Sequence, residues 1–410
     1  MPTFQRCSAK RLTGGAPVAD GHPVPCPAAR GVGTLWPSPG PVTCYLLSPV
    51  ITTTTAQATR CAPVRLPAEV AAHLARFGLT LGDLLTDSNP KLEKGSALAR
   101  AVILHHLPAR ALAAAVTPGH RGSTAPRSYL ADLAALAARE GMIPQAIAHN
   151  GCLWATAGCA AGCLNWAGHG GLSPAVAAAR GRRTLAMVAD PALYGRAMVW
   201  AIARQWARAQ AEGLPLAVRL RGTDEGPACG WHRLRLSLPV ADAVAIARRF
   251  GLAISPGAVT LAEALGVARA DGSLRLYEYS KAPLSGPLGL WAQAEAGWDV
   301  TASLAADRAS AVADAAAAVR AGFRLAVPVA LRKGQPLPVA LTLAPDHGPA
   351  VTVPCVNGDL SDHRWADPER VAVILRSKVS RGAGPEAALF HLAAIPDAQP
   401  LADGTARLTW

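Results

Sequence analysis

Apolar and polar positions fall into three successive regimes along this chain. Residues 1–62 keep neither a helical nor a strand period; Pro, Gly, Ser and Thr dominate, with Pro-Ser-Pro-Gly-Pro at 37–41 and a threonine run from Thr52 to Thr55. A stretch with so little periodic apolar surface cannot offset the entropy of ordering, so it reads as a flexible tail. Gly31 and Gly33 within it mimic a phosphate-loop fragment, but no strand pattern precedes them and no helix pattern follows. Residues 63–149 read as a helical segment: a short helix over 66–85, a polar loop at 88–95, and Ala-rich helices near 97–116 and 127–140.

Residues 150–410 read as a cysteine loop followed by a (βα)-barrel-like domain. Alternation begins at 183–191 and leads into a helix marked by Asp190 as N-cap and Pro191 at its first position. Tyr194, Met198, Ile202 and Trp206 share one stripe of that helix, with Arg204 and Arg208 on the other side, the pattern of ordinary core packing. Strand-like runs then recur at 216–220, 274–279, 298–304 and 323–331, and two more at 351–356 and 371–377 would continue the sheet. A helix over about 306–321 stops at Gly322, and the next strand begins at once. Strand, helix, strand at this spacing is the parallel crossover unit. The expected fold is therefore α/β, a TIM-like (βα) barrel, complete or partial, behind N-terminal helices and the tail. An open doubly wound sheet is the other arrangement, but the Gly-rich dinucleotide fingerprint is missing.

Composition narrows the classes. With 410 residues, 51% of them apolar, the chain is long enough for a barrel-sized domain and an appendage. Its net charge of +13 attracts nucleic acid, nucleotides or another polyanion, although an Arg- and Ala-rich coding bias gives the same excess. No run of about 20 uncharged apolar residues is present, so no membrane helix is expected. The first residues lack the apolar core of a secretory signal. Nine cysteines, an odd number, suggest reduced thiols and a cytoplasmic location rather than a disulfide framework. A Ser-centred nucleophile elbow, a Walker loop and an HExxH motif are all missing, which argues against hydrolase, NTPase and zincin chemistry.

The densest chemical signal is Asn-Gly-Cys-Leu-Trp-Ala-Thr-Ala-Gly-Cys-Ala-Ala-Gly-Cys, which places Cys152, Cys159 and Cys163 at C-x6-C-x3-C spacing. Thiolates are soft ligands, and three in one glycine-rich loop can meet on a single centre. They can hold an iron–sulfur cluster such as [4Fe-4S] with one iron left open, the opening that radical chemistry on a sulfonium cofactor requires. His149 and His169 flank the loop, so a Cys3His zinc site is also available. Three packed thiols without metal are the remaining reading. Cys229 and Cys355 are isolated and read as packed thiols.

Polar residues at predicted strand ends supply the other candidates, because a barrel puts its active site there. Asp224 and Glu225 follow Arg219 and Arg221; Tyr279 and Lys281 end the 274–279 run; Thr301 and Ser303 lie in the next; Asp359, Asp362, His363 and Arg364 cluster at 356–365. Asp224, Tyr279, Lys281 and Asp359 are the catalytic candidates, Tyr279 or Lys281 as proton or hydrogen donor. Arg219, Thr301, Ser303 and Asp362 are the candidates for positioning cofactor or substrate. Taken singly, each is equally a solvated loop charge or a carboxylate paired with a neighbouring Arg.

Several blocks resemble the phage gene product 88 family: 89–95, the three-cysteine loop, 179–194, 215–225, 276–281 and 357–378, in the family's order and spanning roughly 89–380. The cysteine loop is similar in style to that of radical-SAM-like phage proteins. The resemblance implies a partial or full (βα) barrel with an iron–sulfur cluster on Cys152, Cys159 and Cys163. It also implies pocket roles for Arg219, Asp224, Tyr279, Lys281, Asp359 and Asp362. The spacing departs from the C-x3-C-x2-C of ordinary radical-SAM enzymes, and Arg221 stands where the resemblance leads one to expect Asn. The expectation is thus an iron–sulfur, radical-SAM-like enzyme, using S-adenosylmethionine, on a nucleotide, nucleic acid or other anionic substrate. A zinc-stabilised nucleic-acid-binding protein without catalysis is the alternative.

Overall fold

The computed structural model describes residues 64–87, 90–94, 96–108, 112–113, 127–163, 165, 173–330, 336–376, 399–400 and 405–409. The tail read at 1–62 and His169 lie outside the described residues. Val64–Trp410 forms one compact unit.

A mixed, mostly parallel sheet organises that unit, in the order β1-β2-β5-β6-β7-β10-β9-β8-β12-β11. The strands are β1 (Arg100–Ile103), β2 (Leu216–Arg219), β5 (Leu274–Ser280), β6 (Asp299–Ser303), β7 (Arg324–Val329), β8 (Ala340–Ala344), β9 (Val351–Asn357), β10 (Ala372–Arg376), β11 (Gln399–Pro400) and β12 (Thr405–Thr409). A separate antiparallel pair, β3 (Arg235–Leu238) and β4 (Gly257–Thr260), lies between β2 and β5 in the chain. From β1 to β10 every pairing is parallel and the strands follow one another in chain order across the sheet. That is the succession of a singly wound sheet; a doubly wound one reverses at a switch point. The sheet is open: β1 and β11 form its two edges, so the strands do not close into a barrel among the described residues.

The helices are α1 (Ala68–Arg76), α2 (Pro90–Glu93), α3 (Arg127–Arg139), α4 (Ile143–Ala148), α5 (Ala157–Ala161), α6 (Pro174–Ala189), α7 (Pro191–Ala211), α8 (Val240–Phe250), α9 (Leu261–Ala264), α10 (Gly266–Ala270), α11 (Leu290–Glu295) and α12 (Ala311–Arg320). Alternation assigns the strand residues to two faces. Val102, Leu216, Val218, Leu274, Leu276, Val300 and Val327 pack into the main core with the long helices. Ala101, Ile103, Ala217 and Tyr277 point the other way, into a smaller cluster with Leu92 of α2 and Trp365.

Sequence and structure part company at three places. Arg100–Ile103, read as Ala-rich helix, is the edge strand β1, so the sheet begins ahead of the cysteine loop. Val102 and Ile103 are buried on opposite faces there, between β2 and the core, and tertiary pairing overrides the helical propensity of the alanines. The run at 183–191, read as alternation, belongs to helix α6, which buries residues on nearly every side, including Arg180 and Arg183. The helix read over 66–85 stops at Arg76, because Gly78 turns the backbone left-handed at φ 62°, and only a short 3-10 turn at Leu81–Asp83 follows. By contrast, α7 starts where expected: Asp190 Oδ1 accepts from Leu193 N at 2.8 Å, with Pro191 in the first turn. Tyr194, Met198 and Ile202 are buried along its stripe.

Candidate functional site

The cysteine loop is suspended between α4 and α6 and lies over the C-terminal ends of β2, β5 and β6. Each anchor is a hydrogen bond between the loop and a residue that follows one of these strands. Glu225 N donates to Gly151 O at 2.5 Å. Gly158 N, inside α5, donates to Asp307 Oδ2 at 2.6 Å, just past β6. Arg308 reaches both Trp154 O and Lys281 O at 3.4 Å. Lys281, the first residue after β5, directs its ammonium to Cys159 Sγ at 3.0 Å.

Local sequence sets up the loop. Thr156 caps α5, its hydroxyl accepting from Cys159 N at 3.2 Å. Cys159 lies within α5 and Cys163 two residues past its end. Cys163 is also close enough to feel the charge of Cys159, Lys281 and Arg180; burial raises its thiol above the usual range, and the two cations pull the other way. Cys152 is partly buried at the start of the loop, its N–H donating to Asn150 Oδ1. None of the three is in a disulfide.

Three soft donors with two cations beside them suit an iron–sulfur cluster chemically, because lysine and arginine offset the thiolate charge. The three sulfurs are not gathered into one ligand set, and no group of three or more His, Cys, Asp or Glu side chains among the described residues is placed to hold a metal ion.

Two carboxylates lie near the ends of β2 and β5, Glu278 fully buried and Glu225 half-buried. Glu225 and Glu278 are each pushed up to about 7 by burial, against the pull of Arg221. Glu278 Oε1 accepts from Leu220 N at 3.1 Å. Arg221 donates to Gln293 Oε1 at 2.9 Å. A small cleft beside them is lined by Trp154, Arg221, Glu225, His232 and Leu288. A second, at the ends of β5 and β6, is lined by Ser280, Lys281, Ser303 and Arg308.

The residues singled out in the sequence are thus distributed over several networks. Lys281 and Ser303 stand at the cysteine-loop end of the sheet. Asp224 is buried beside His106, with Oδ1 to Nδ1 at 3.2 Å. Arg219, Tyr279 and Asp362 meet on the face opposite the long helices. There the Asp362 carboxylate takes Arg219 Nη1, Tyr277 O–H and Tyr279 O–H, each at 3.1 Å, while the Arg219 guanidinium lies 4.5 Å over the Tyr279 ring. Thr301 is fully buried, and its register beside Tyr279 puts it on that same face. Asp359 accepts from Arg376 N at 3.1 Å, and its carbonyl accepts from Lys94. Burial holds the Cys355 thiol up at about 12, whereas Cys229, read as a packed thiol, is exposed.

Sequence reasoning passed over Arg308, Asp307, Gln293 and Glu278. Arg308 and Asp307 had a legible signal, a charged pair a few residues past a strand. Glu278 had one too: a carboxylate within an otherwise apolar strand. Among the described residues no helix is long and apolar enough to cross a membrane. No family model, no curated protein and no solved structure matches the chain.

Proposed function

We propose that this chain is an iron–sulfur enzyme of radical-SAM-like type, related to the phage gene product 88 family and built on an incomplete (βα) barrel. The observation that carries the reading is the position of the three-cysteine loop, after β1 and over the ends of β2, β5 and β6, tied down by Lys281, Arg308 and Glu225. The C-terminal ends of parallel strands are where such folds do chemistry. Cys152, Cys159 and Cys163 would hold the cluster, which supplies an electron to a sulfonium cofactor such as S-adenosylmethionine when bound.

The chain's own residues do the rest. Lys281 and Arg180 offset negative charge at the thiols. Arg221, Lys281 and Arg308 present cations to an anionic substrate, a nucleotide or nucleic acid, in line with the overall charge of +13. Lys281 is the proton donor nearest the loop. Tyr279, with its hydroxyl committed to Asp362, serves to position Arg219. Zinc on the same thiols, in a protein that binds nucleic acid without turnover, is the outcome that would replace this reading.

Anaerobic purification decides between them. Brown protein with iron and sulfide in about one cluster per chain, lost when any of the three cysteines becomes serine, is the expected result. Colourless protein carrying zinc, or cluster retention in Cys159→Ser, overturns it.

A further inference from the structure

The turn that opens the cysteine loop gathers buried polar atoms that the protein's own hydrogen bonds leave unused. Asp224 is 6% exposed; its Oδ1 meets His106, whereas its Oδ2 has no hydrogen-bond partner. His149 Nε2 is buried and has none either. Both atoms converge on Gly151. The position a β-carbon would take there lies 2.7 Å from His149 Nε2, 2.9 Å from Asp224 Oδ2 and 3.2 Å from the Gly226 carbonyl oxygen. An imidazole nitrogen, a carboxylate oxygen and a main-chain carbonyl therefore face one point, which only a residue without a side chain leaves accessible.

We propose that His149, Asp224 and the Gly226 carbonyl form a divalent-cation site of mixed nitrogen and oxygen character, separate from the cysteine thiols, with water completing the coordination of a manganese-class ion. Imidazole with carboxylate and carbonyl ligands is the donor set such cations take. The surroundings supply the outer support that these sites use: His106 Nδ1–H holds Asp224 Oδ1, and Tyr194 O–H reaches His106 Nε2 at 3.4 Å, so the carboxylate is oriented with its second oxygen towards Gly151. Charge distinguishes a cation from a bridging water. Among the described residues no Lys or Arg pairs with Asp224; its partner is the His106 imidazole, which donates a hydrogen bond from Nδ1. A buried carboxylate is costly unless its charge is met, and a neutral water does not meet it.

The site would pin the first residues of the cysteine loop to the turn after β2, alongside the bond from Glu225 N to Gly151 O. It does not depend on what the thiols bind.

The test uses full-length protein stripped with chelator and titrated with Mn2+, free ion being read by electron paramagnetic resonance. A single Mn2+ site per chain is expected. Asp224→Asn and His149→Ala should abolish it, as should Gly151→Ala, which keeps every ligand but puts a methyl group between them. His106→Gln, touching only the outer support, should weaken binding about 10- to 100-fold. Cys159→Ser should leave the Mn2+ site intact while losing any cluster, which separates this proposal from the iron–sulfur reading. Circular dichroism of the metal-free variants identifies any that fail to fold. For those, slower hydrogen exchange at 149–154 and 222–226 in the unaltered protein on adding Mn2+ gives an independent readout. Absence of Mn2+ binding, binding indifferent to all three ligand-site variants, or binding lost in Cys159→Ser would overturn the proposal.

Discussion

Replacing Asp362 by alanine removes the acceptor at the centre of a buried network and leaves three donors facing nothing. The carboxylate is 5% exposed and takes one bond from Arg219 and one from each of Tyr277 and Tyr279, all at 3.1 Å. Burial and the neighbouring carboxylate push both phenols above their ordinary range, so they remain protonated donors throughout the neutral region. Removing one partner of a buried pair costs about 3–5 kcal/mol, because the other charge is left uncompensated. That is a large share of the roughly 5–15 kcal/mol that holds a domain together. Urea unfolding followed by tryptophan fluorescence measures it. The network also predicts non-additivity: adding Arg219→Met to Asp362→Ala should recover much of the loss, since the stranded guanidinium is gone. Tyr279→Phe alone, which forfeits one hydrogen bond to a charged group, should cost about 1.5–3 kcal/mol. A cost below about 1 kcal/mol for Asp362→Ala, the value of an exposed pair, would show that the 358–367 segment does not seat against the sheet as described.

Three further outcomes follow from other parts of the molecule. Glu278 titrates at about 7 when folded against an ordinary 4.5, so the folded state keeps a proton that the unfolded chain has released. Its contribution therefore falls as pH rises from about 4.5 to about 7 and is level above, and Glu278→Gln should gain on the parent by about 3 kcal/mol across that window in paired urea melts; parallel curves would refute the burial. Asp190→Ala should destabilise by about 0.5–2 kcal/mol through loss of the α7 cap, and Asp190→Asn should restore most of it in thermal melts. Leu107→Ala, at a fully buried position just after β1, should cost about 2–5 kcal/mol, whereas a surface loop there would tolerate the change.

The legible part of the fold was the part whose pattern is local. Asp190–Pro191 announced α7, and the apolar runs at 274–279, 298–304 and 323–331 became β5, β6 and β7 almost residue for residue. β1 was hidden because an edge strand buried on both faces, in an alanine-rich context, has no alternation to show. α6 was hidden for the complementary reason: it buries Arg180 and Arg183 among apolar neighbours, so its sequence lacks a clean polar face. Arg180 gives a hydrogen bond to Asn165 and Arg183 gives one to the His105 carbonyl, partners too distant in the chain for any periodicity to reveal. The cysteine loop was legible as a motif, but its anchors were not. Cys159 and Lys281 are separated by 122 residues, and only the parallel sheet brings the end of β5 beneath the loop.

Strand β5 shows how one short segment serves three surroundings through alternation alone. Tyr277 and Tyr279 point to the face where Asp362 and Arg219 wait, Glu278 and Ser280 point to the helix side, where they meet Leu220 N and Gln293, and Lys281 leaves the ladder and turns to Cys159. A one-residue slip of β5 against β2 would exchange the two faces, leaving a carboxylate opposite Asp362 and a phenol in place of Glu278. It would also withdraw the ammonium from the thiol. The register of Val218 on Leu276 is thus what joins the buried ion pair to the cysteine loop. The chemistry proposed for that loop depends on a pairing fixed by apolar residues that take no part in it.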